Sequence, residues 1–183
     1  MSCPLLKRFC LALLVALCFA FNIFAQSNAQ PPANPCGATP EYRQFDFWIG
    51  EWEVTANGNR AGENSVQLIL GKCVIFENWS GARGMNGKSF NTYNAAKGKW
   101  QQTWVDSQGN VLELTGEFKD NAMRLAGEVV RNNQKTLHKL TFFPLEGGRV
   151  RQLWETSQDD GKTWSTVFDG LYIRKKSAAA ESK

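Results

Sequence analysis

From Gly50 onward apolar and polar side chains alternate with a period of two, interrupted at short intervals by glycine, asparagine and aspartate. In 99–106, Trp100, Gln102 and Trp104 share one face against Gln101, Thr103 and Val105; in 110–118, Leu112, Leu114 and Phe118 oppose Glu113 and Glu117. In 122–131, Met123, Leu125 and Val129 oppose Arg124 and Glu128, and in 148–156, Val150, Gln152 and Trp154 oppose Arg149, Arg151 and Glu155. Such alternation marks strands with one buried face. Read this way, the chain predicts about ten strands, near 51–56, 63–70, 72–80, 88–94, 99–106, 110–118, 122–131, 135–143, 148–156 and 165–174. Those near 72–80, 135–143 and 165–174 carry apolar residues at both parities, so the pattern does not choose their inward face.

Asn57-Gly58, Gly71, Gly84 to Gly87, Gly98, Gln108-Gly109-Asn110, Asp120-Asn121, Asn132-Asn133 and Gly147-Gly148 separate the strands. Glycine and asparagine reach the positive φ that tight hairpins need. Many short strands on short turns predict an all-β fold: an antiparallel up-and-down barrel of about ten strands, or a sandwich. Ahead of them, Thr39-Pro40-Glu41 reads as a helix start with a capping hydroxyl. Phe45, Trp48 and Ile49 follow at helical spacing, which predicts one short N-terminal helix.

The turn before the final strand, SQDDGKTW, has the Ser-x-Asp-x-Gly-x-Thr-Trp spacing of the Asp-box repeated through sialidase propellers. It occurs here once, where a barrel needs a hairpin. Ser157 and Asp159 can bond backbone amides within the turn, and Gly161 can supply positive φ. It is expected to be a structural turn, with Trp164 packed beneath it.

Composition changes the picture mainly at the start. Lys7 and Arg8 precede an unbroken apolar run from Phe9 to Phe21, the length of a signal-peptide core and short of the ~20 residues that span a bilayer. Cleavage is expected after Ala25 or Ala29. The organisation that follows is a signal peptide at 1–25, a flexible lead-in at 26–38, a barrel at 39–176 and a disordered tail at 177–183. Losing Lys7 and Arg8 lowers the net charge from +4 to +2. No basic stripe remains except Arg174-Lys175-Lys176, so nucleic acid is not an expected partner and no membrane span remains after cleavage. Cys3, Cys10 and Cys18 leave with the leader, while Cys36 and Cys73 remain as an even pair in an oxidising compartment, which predicts one disulfide. The expected location is therefore periplasmic or extracellular.

FDFWIGEWEV, Phe45 to Val54, is the most informative segment. A short helix leading into Gly50-x-Trp52 on the first strand resembles the opening of lipocalin and calycin barrels. That resemblance implies that Trp52 closes the barrel floor and that a late basic residue, Arg174 in YIRK, packs across its ring, as a guanidinium does on indole. Nearly all of Phe45 to Arg174 also resembles a family of bacterial secreted proteins opening FDFW-x-GEW. The resemblance runs through Glu77 and Trp79, the strand from Trp100 to Asp106 and the closing hairpin. It implies a fold and carries no activity with it.

The chemistry is sparse. A serine triad needs a histidine and a nucleophile elbow; His138 is the one histidine and no Gly-x-Ser-x-Gly occurs. The same scarcity leaves no histidine-built zinc site, and no haem motif surrounds His138 between Thr136 and Leu140. No cofactor, no metal and no catalytic residue is expected. The inward candidates are Glu77, Trp79, Tyr93, Gln102, Trp104, Gln152, Trp154 and Tyr172. Aromatic area with a few amides and one acid is the usual lining of a small-molecule site. The expected function is an exported binding barrel for a neutral or weakly polar, partly apolar small molecule. Two alternatives stand beside it: an envelope interaction module with a filled barrel, and a carboxylate enzyme using Glu77.

Overall fold

In a computed structural model, residues 35–176 are described. The expected signal peptide, the lead-in up to residue 34 and the tail 177–183 lie outside the described residues. Ten strands follow one another: β1 (Gly50–Ala56), β2 (Asn59–Ile69), β3 (Val74–Gly81), β4 (Asn86–Asn94), β5 (Lys99–Asp106), β6 (Val111–Lys119), β7 (Ala122–Arg131), β8 (Gln134–Leu145), β9 (Arg149–Ser157) and β10 (Ser165–Arg174). Each pairs antiparallel with the next, and β10 returns to pair with β1, so the sheet closes as a barrel rather than a sandwich. Closure removes both sheet edges. Two register shifts, between Val54 and Thr55 on β1 and between Thr166 and Phe168 on β10, fall on these adjacent strands. Irregularities of this kind bend strands where a sheet must curve.

The period-two readings hold: Trp100, Gln102, Leu112, Leu114, Met123, Leu125, Val150 and Gln152 are all buried. The undecided strands are now resolved. Ile75, Glu77 and Trp79 point inward on β3, Leu140 and Phe142 on β8, and Tyr172 on β10. Phe76 instead faces outward, against Phe90 on β4 at 5.2 Å.

The expected short helical segment ahead of β1 is present, and it is built from consecutive turns. One α-helical turn, Pro35–Ala38, is followed by two 3₁₀ turns, Pro40–Arg43 and Asp46–Trp48. Thr39 is extended before the first 3₁₀ turn, but its hydroxyl makes no capping hydrogen bond. That corrects the capping role read from the sequence. What fixes these turns is tertiary packing. Cys36 is bonded to Cys73, just before β3, with Cα atoms 4.9 Å apart, and the Arg43 guanidinium donates to the Lys72 carbonyl.

These turns seal one end of the barrel. Phe45 stacks on Trp48 at 5.0 Å and meets Trp100 at 5.7 Å and Phe142 at 5.0 Å. Phe45, Trp48 and Trp52 have no exposed surface. At ~150–250 Å² and ~25 cal/mol per Å², each ring contributes roughly 4–6 kcal/mol of transfer free energy, before the entropy of ordering it. The Trp52 indole N–H donates to the Trp48 carbonyl at 2.9 Å, and the Trp100 indole N–H to Gln44 Oε1 at 3.2 Å. The aromatic lead-in is therefore core.

Gly50 opens β1 at φ 150°, and a Cβ there would lie 2.4 Å from Nη1 of Arg174. Backbone conformation and the arriving guanidinium both require glycine at this place. Arg174 sits over the Trp52 ring, 4.5 Å from its centre, and donates to the Ile49 carbonyl at 3.1 Å.

The Asp-box is the β9–β10 turn. Asp159 Oδ1 accepts from the Ser157 hydroxyl at 2.7 Å and from the Thr163 amide at 2.9 Å, while Oδ2 accepts from the Thr163 hydroxyl at 2.6 Å. These bonds hold the Asp159 carboxyl down at a pKa of about 2. Gly161 has φ 85°, and Trp164 donates to its carbonyl at 3.0 Å while Lys139 covers the indole ring. Every part of the motif is spent on the hairpin.

Candidate functional site

Above the aromatic seal the interior changes character. Asn64 on β2, Glu77 on β3, Ser89 and Asn91 on β4, Gln102 on β5 and Gln152 on β9 form a buried polar belt. Glu77 is its centre. Oε1 accepts from the Asn64 amide at 2.7 Å and Oε2 from the Ser89 hydroxyl at 2.6 Å. Asn91 donates to Ser89 Oγ at 2.9 Å and to the Ile75 carbonyl at 3.1 Å, and Gln102 donates to Asn91 Oδ1 at 2.7 Å. Across the lumen the Tyr172 hydroxyl donates to Gln152 Oε1. Asn64 Oδ1 is buried without a hydrogen-bond partner.

Burial decides the acid's chemistry. Desolvation pushes the Glu77 carboxyl up to a pKa of about 7, against the opposing pull of its bonds from Ser89 and Asn64. Both donors are neutral, and no arginine, lysine or histidine among the described residues is salt-bridged to it. The Tyr172 hydroxyl is pushed well above its ordinary value, first by burial and then by the negative charge of Glu77.

A cavity of about 140 Å³ lies against this belt. Glu77, Gln102, Gln152 and Tyr172 supply its polar lining, while Trp79, Trp104, Trp154 and Phe168 stand with Leu112 and Leu140 as its walls. Met85, from the β3–β4 turn, and Val167, at the start of β10, also line it and are 45% and 53% exposed, so the cavity reaches the surface there. Both lie at the end of the barrel away from the Phe45–Trp48 seal.

Glycines at three of the inward positions make room for large rings at the wall. A Cβ at Gly87 would fall 2.2 Å from the Trp104 ring, one at Gly62 2.8 Å from the Trp79 ring, and one at Gly170 2.3 Å from the Phe168 ring. Each large ring lies in the space that a glycine leaves at the wall.

Seven of the eight expected ligand-binding residues meet around this cavity: Glu77, Trp79, Gln102, Trp104, Gln152, Trp154 and Tyr172. Tyr93 does not. It packs on Tyr42 at 5.4 Å and Trp100 at 6.2 Å, towards the sealed end, because its place on β4 lies beyond Asn91 from the mouth. Tyr93 thus stands with the aromatic plug rather than among the cavity-lining residues. The sequence reading also passed over Asn64, Ser89 and Asn91, although Ser89 and Asn91 alternate with the exposed Lys88 and Phe90. Phe168 was hidden by the ambiguous parity of its strand, and Met85 by its position in a turn, where no parity operates.

His138 stands at the rim, where its Nδ1 accepts from the Trp154 indole N–H at 3.1 Å, and partial burial lowers its pKa. No cluster of three or more metal-ligating side chains occurs among the described residues, and none of their helices is long and apolar enough to cross a membrane. Fold and site together define a closed ten-stranded antiparallel barrel, sealed at one end, with a small cavity over a buried carboxyl. No family model matches the chain, and no curated protein matches it in sequence.

Proposed function

We propose that the protein is an exported, periplasmic or extracellular barrel of the lipocalin and calycin kind that binds a small, partly apolar molecule. One observation carries this reading: a mouth-connected cavity whose walls are indole and phenyl rings and whose floor is two amides, a phenol and a carboxyl. Aromatic area supplies affinity and convergent polar groups fix orientation. The size narrows the ligand. At about 140 Å³ the cavity is below the ~300–1,000 Å³ of drug-sized sites and close to the ~150 Å³ that accepts benzene. A ligand of one ring or less fits. Export is supported by the basic, apolar start of the chain and by the Cys36–Cys73 bridge.

The open lumen argues against a filled interaction module. A carboxyl titrating near neutrality could also serve acid–base catalysis, but the other titratable group in the cavity, Tyr172, is held protonated by burial. Binding is the better-supported reading. Native mass spectrometry of protein purified from the periplasm tests it, together with indole fluorescence titrations against single-ring compounds. A co-purified small molecule or saturable quenching is expected; no bound mass and no quenching across the panel would overturn it.

A further inference from the structure

The belt carries an electrostatic imbalance that a neutral ligand would leave in place. Glu77 is 5% exposed, and its two hydrogen-bond donors, Asn64 and Ser89, bring no charge. A carboxylate buried without a cation is costly, and proteins ordinarily neutralise such a group with a partner or a proton. Each oxygen accepts one bond from the belt and keeps further acceptor capacity. Glu77 also borders the cavity, so that capacity is open to whatever enters.

The walls point to the same chemistry. Trp79, Trp104, Trp154 and Phe168 surround the space next to the carboxyl. Aromatic rings attract ammonium groups through their quadrupoles, most strongly where water is excluded. Among the described residues, no lysine, arginine or histidine lines the cavity. Tyr172 on β10 is a neutral phenol, and His138 at the rim is neutral near pH 7, its pKa lowered by burial. Arg174 serves the sealed end, over Trp52.

We infer that the cavity selects a small organic cation, an ammonium group carried on one ring or less, with Glu77 as its counter-ion and the tryptophans as its walls. This rests on the binding reading above and replaces the neutral ligand expected from the sequence. Entry of the cation favours the ionised form of Glu77, so uptake below neutrality releases a proton.

The test compares isosteres that differ in charge: benzylammonium against benzyl alcohol, titrated calorimetrically into the mature protein and into Glu77→Gln at pH 8.5 and pH 5.5. At pH 8.5 the wild type should bind benzylammonium at least about tenfold more tightly than benzyl alcohol, the scale of one charge-assisted hydrogen bond. The preference should shrink at pH 5.5 and vanish in Glu77→Gln, which should still bind the alcohol. Equal or tighter binding of benzyl alcohol by the wild type would overturn the cation inference and leave the binding reading standing. If neither these compounds nor a neutral single-ring panel binds, the binding reading itself falls. Should Glu77→Gln fail to fold, the wild-type comparison decides alone.

Discussion

Arg174 lies over Trp52 across the β1–β10 seam, its guanidinium carbon 4.5 Å from the ring centre and its Nη1 bonded to the Ile49 carbonyl at 3.1 Å. The two residues are register partners, so the contact locks the closing pair of strands where the aromatic plug enters. Trp52→Ala should destabilise the fold by about 3–5 kcal/mol, as for other large core truncations. Arg174→Ala should cost about 1–2 kcal/mol, the worth of the stack and one hydrogen bond. Gly50→Ala should cost about 1–3 kcal/mol, and part of that should return in the Arg174→Ala background, where the clash with Nη1 is gone. Urea unfolding of the three single variants and the double variant measures this, and unchanged midpoints for Trp52→Ala and Arg174→Ala would reject the closure role.

The Cys36–Cys73 bridge spans 37 residues and fastens the plug to the corner before β3. Native protein should show no labelled thiol. Replacing both cysteines with serine should lower stability by about 3–4 kcal/mol on the chain-entropy estimate. A doubly labelled native protein would exclude the bridge.

Glu77 should give stability a pH dependence of definite sign. Its carboxyl holds a proton up to about pH 7 in the folded barrel, whereas in the unfolded chain it ionises near ~4.3. The folded state therefore binds more protons between those values, and stability falls as pH rises through that window. The loss is of order 3 kcal/mol, complete above about pH 7. Glu77→Gln cannot titrate, so its melting temperature should gain on the wild type as pH is raised from 4.5 to 7.5. A constant difference across that range would place the carboxyl in a solvated, ordinary environment.

The cavity can be altered from inside or from the wall. Trp104→Ala should weaken ligand binding more than it weakens folding, since Trp104 is only partly buried while aromatic contact dominates such sites. Gln102→Leu keeps the area and removes the amide, so selectivity among ligands should change more than total affinity. Gly87→Ala should push the Trp104 ring into the lumen and reduce binding while leaving the chemical identity of every lining side chain unchanged. Fluorescence titration of the three variants, read beside their melting curves, separates these effects; identical affinities throughout would move the binding site elsewhere.

Asp159→Ala should loosen the β9–β10 hairpin, lower the melting temperature and leave ligand affinity unchanged. Loss of binding with an intact fold would instead tie the Asp-box to function.

How far the sequence could be read depended on how one-sided each strand is. Residues 99–106, 122–131 and 165–174 were delimited as β5, β7 and β10 are, because turn residues bound them sharply. Facing was clear where a strand has water on one side, as at Trp100, Gln102 and Trp104. It failed at Phe76, whose outward ring is sheltered by Phe90 and so breaks the alternation. β3 starts later than the sequence pattern suggests, because Leu70, Gly71 and Lys72 form a turn with positive φ angles, tied to the lead-in by the Arg43–Lys72 hydrogen bond and the neighbouring Cys36–Cys73 bridge. Glu77, Gln102 and Gln152 were legible as inward polar residues, but the network joining them depends on register between strands. The absence of side chains at Gly62, Gly87 and Gly170 was visible throughout; that it shapes the lumen required knowing which rings lie beside them.

Because β1 finds its partner in β10, a nascent chain that has not yet delivered residues 165–174 holds two open sheet edges, one on β1 and one on β9. Such edges recruit strands from other molecules; the edge of β9 is covered by a local hairpin, whereas the β1–β10 pairing joins residues near the two ends of the barrel sequence, and contacts of that kind form slowly. Closure of this barrel therefore requires its final hairpin. A chain truncated before Ser165 should self-associate rather than settle as a smaller barrel.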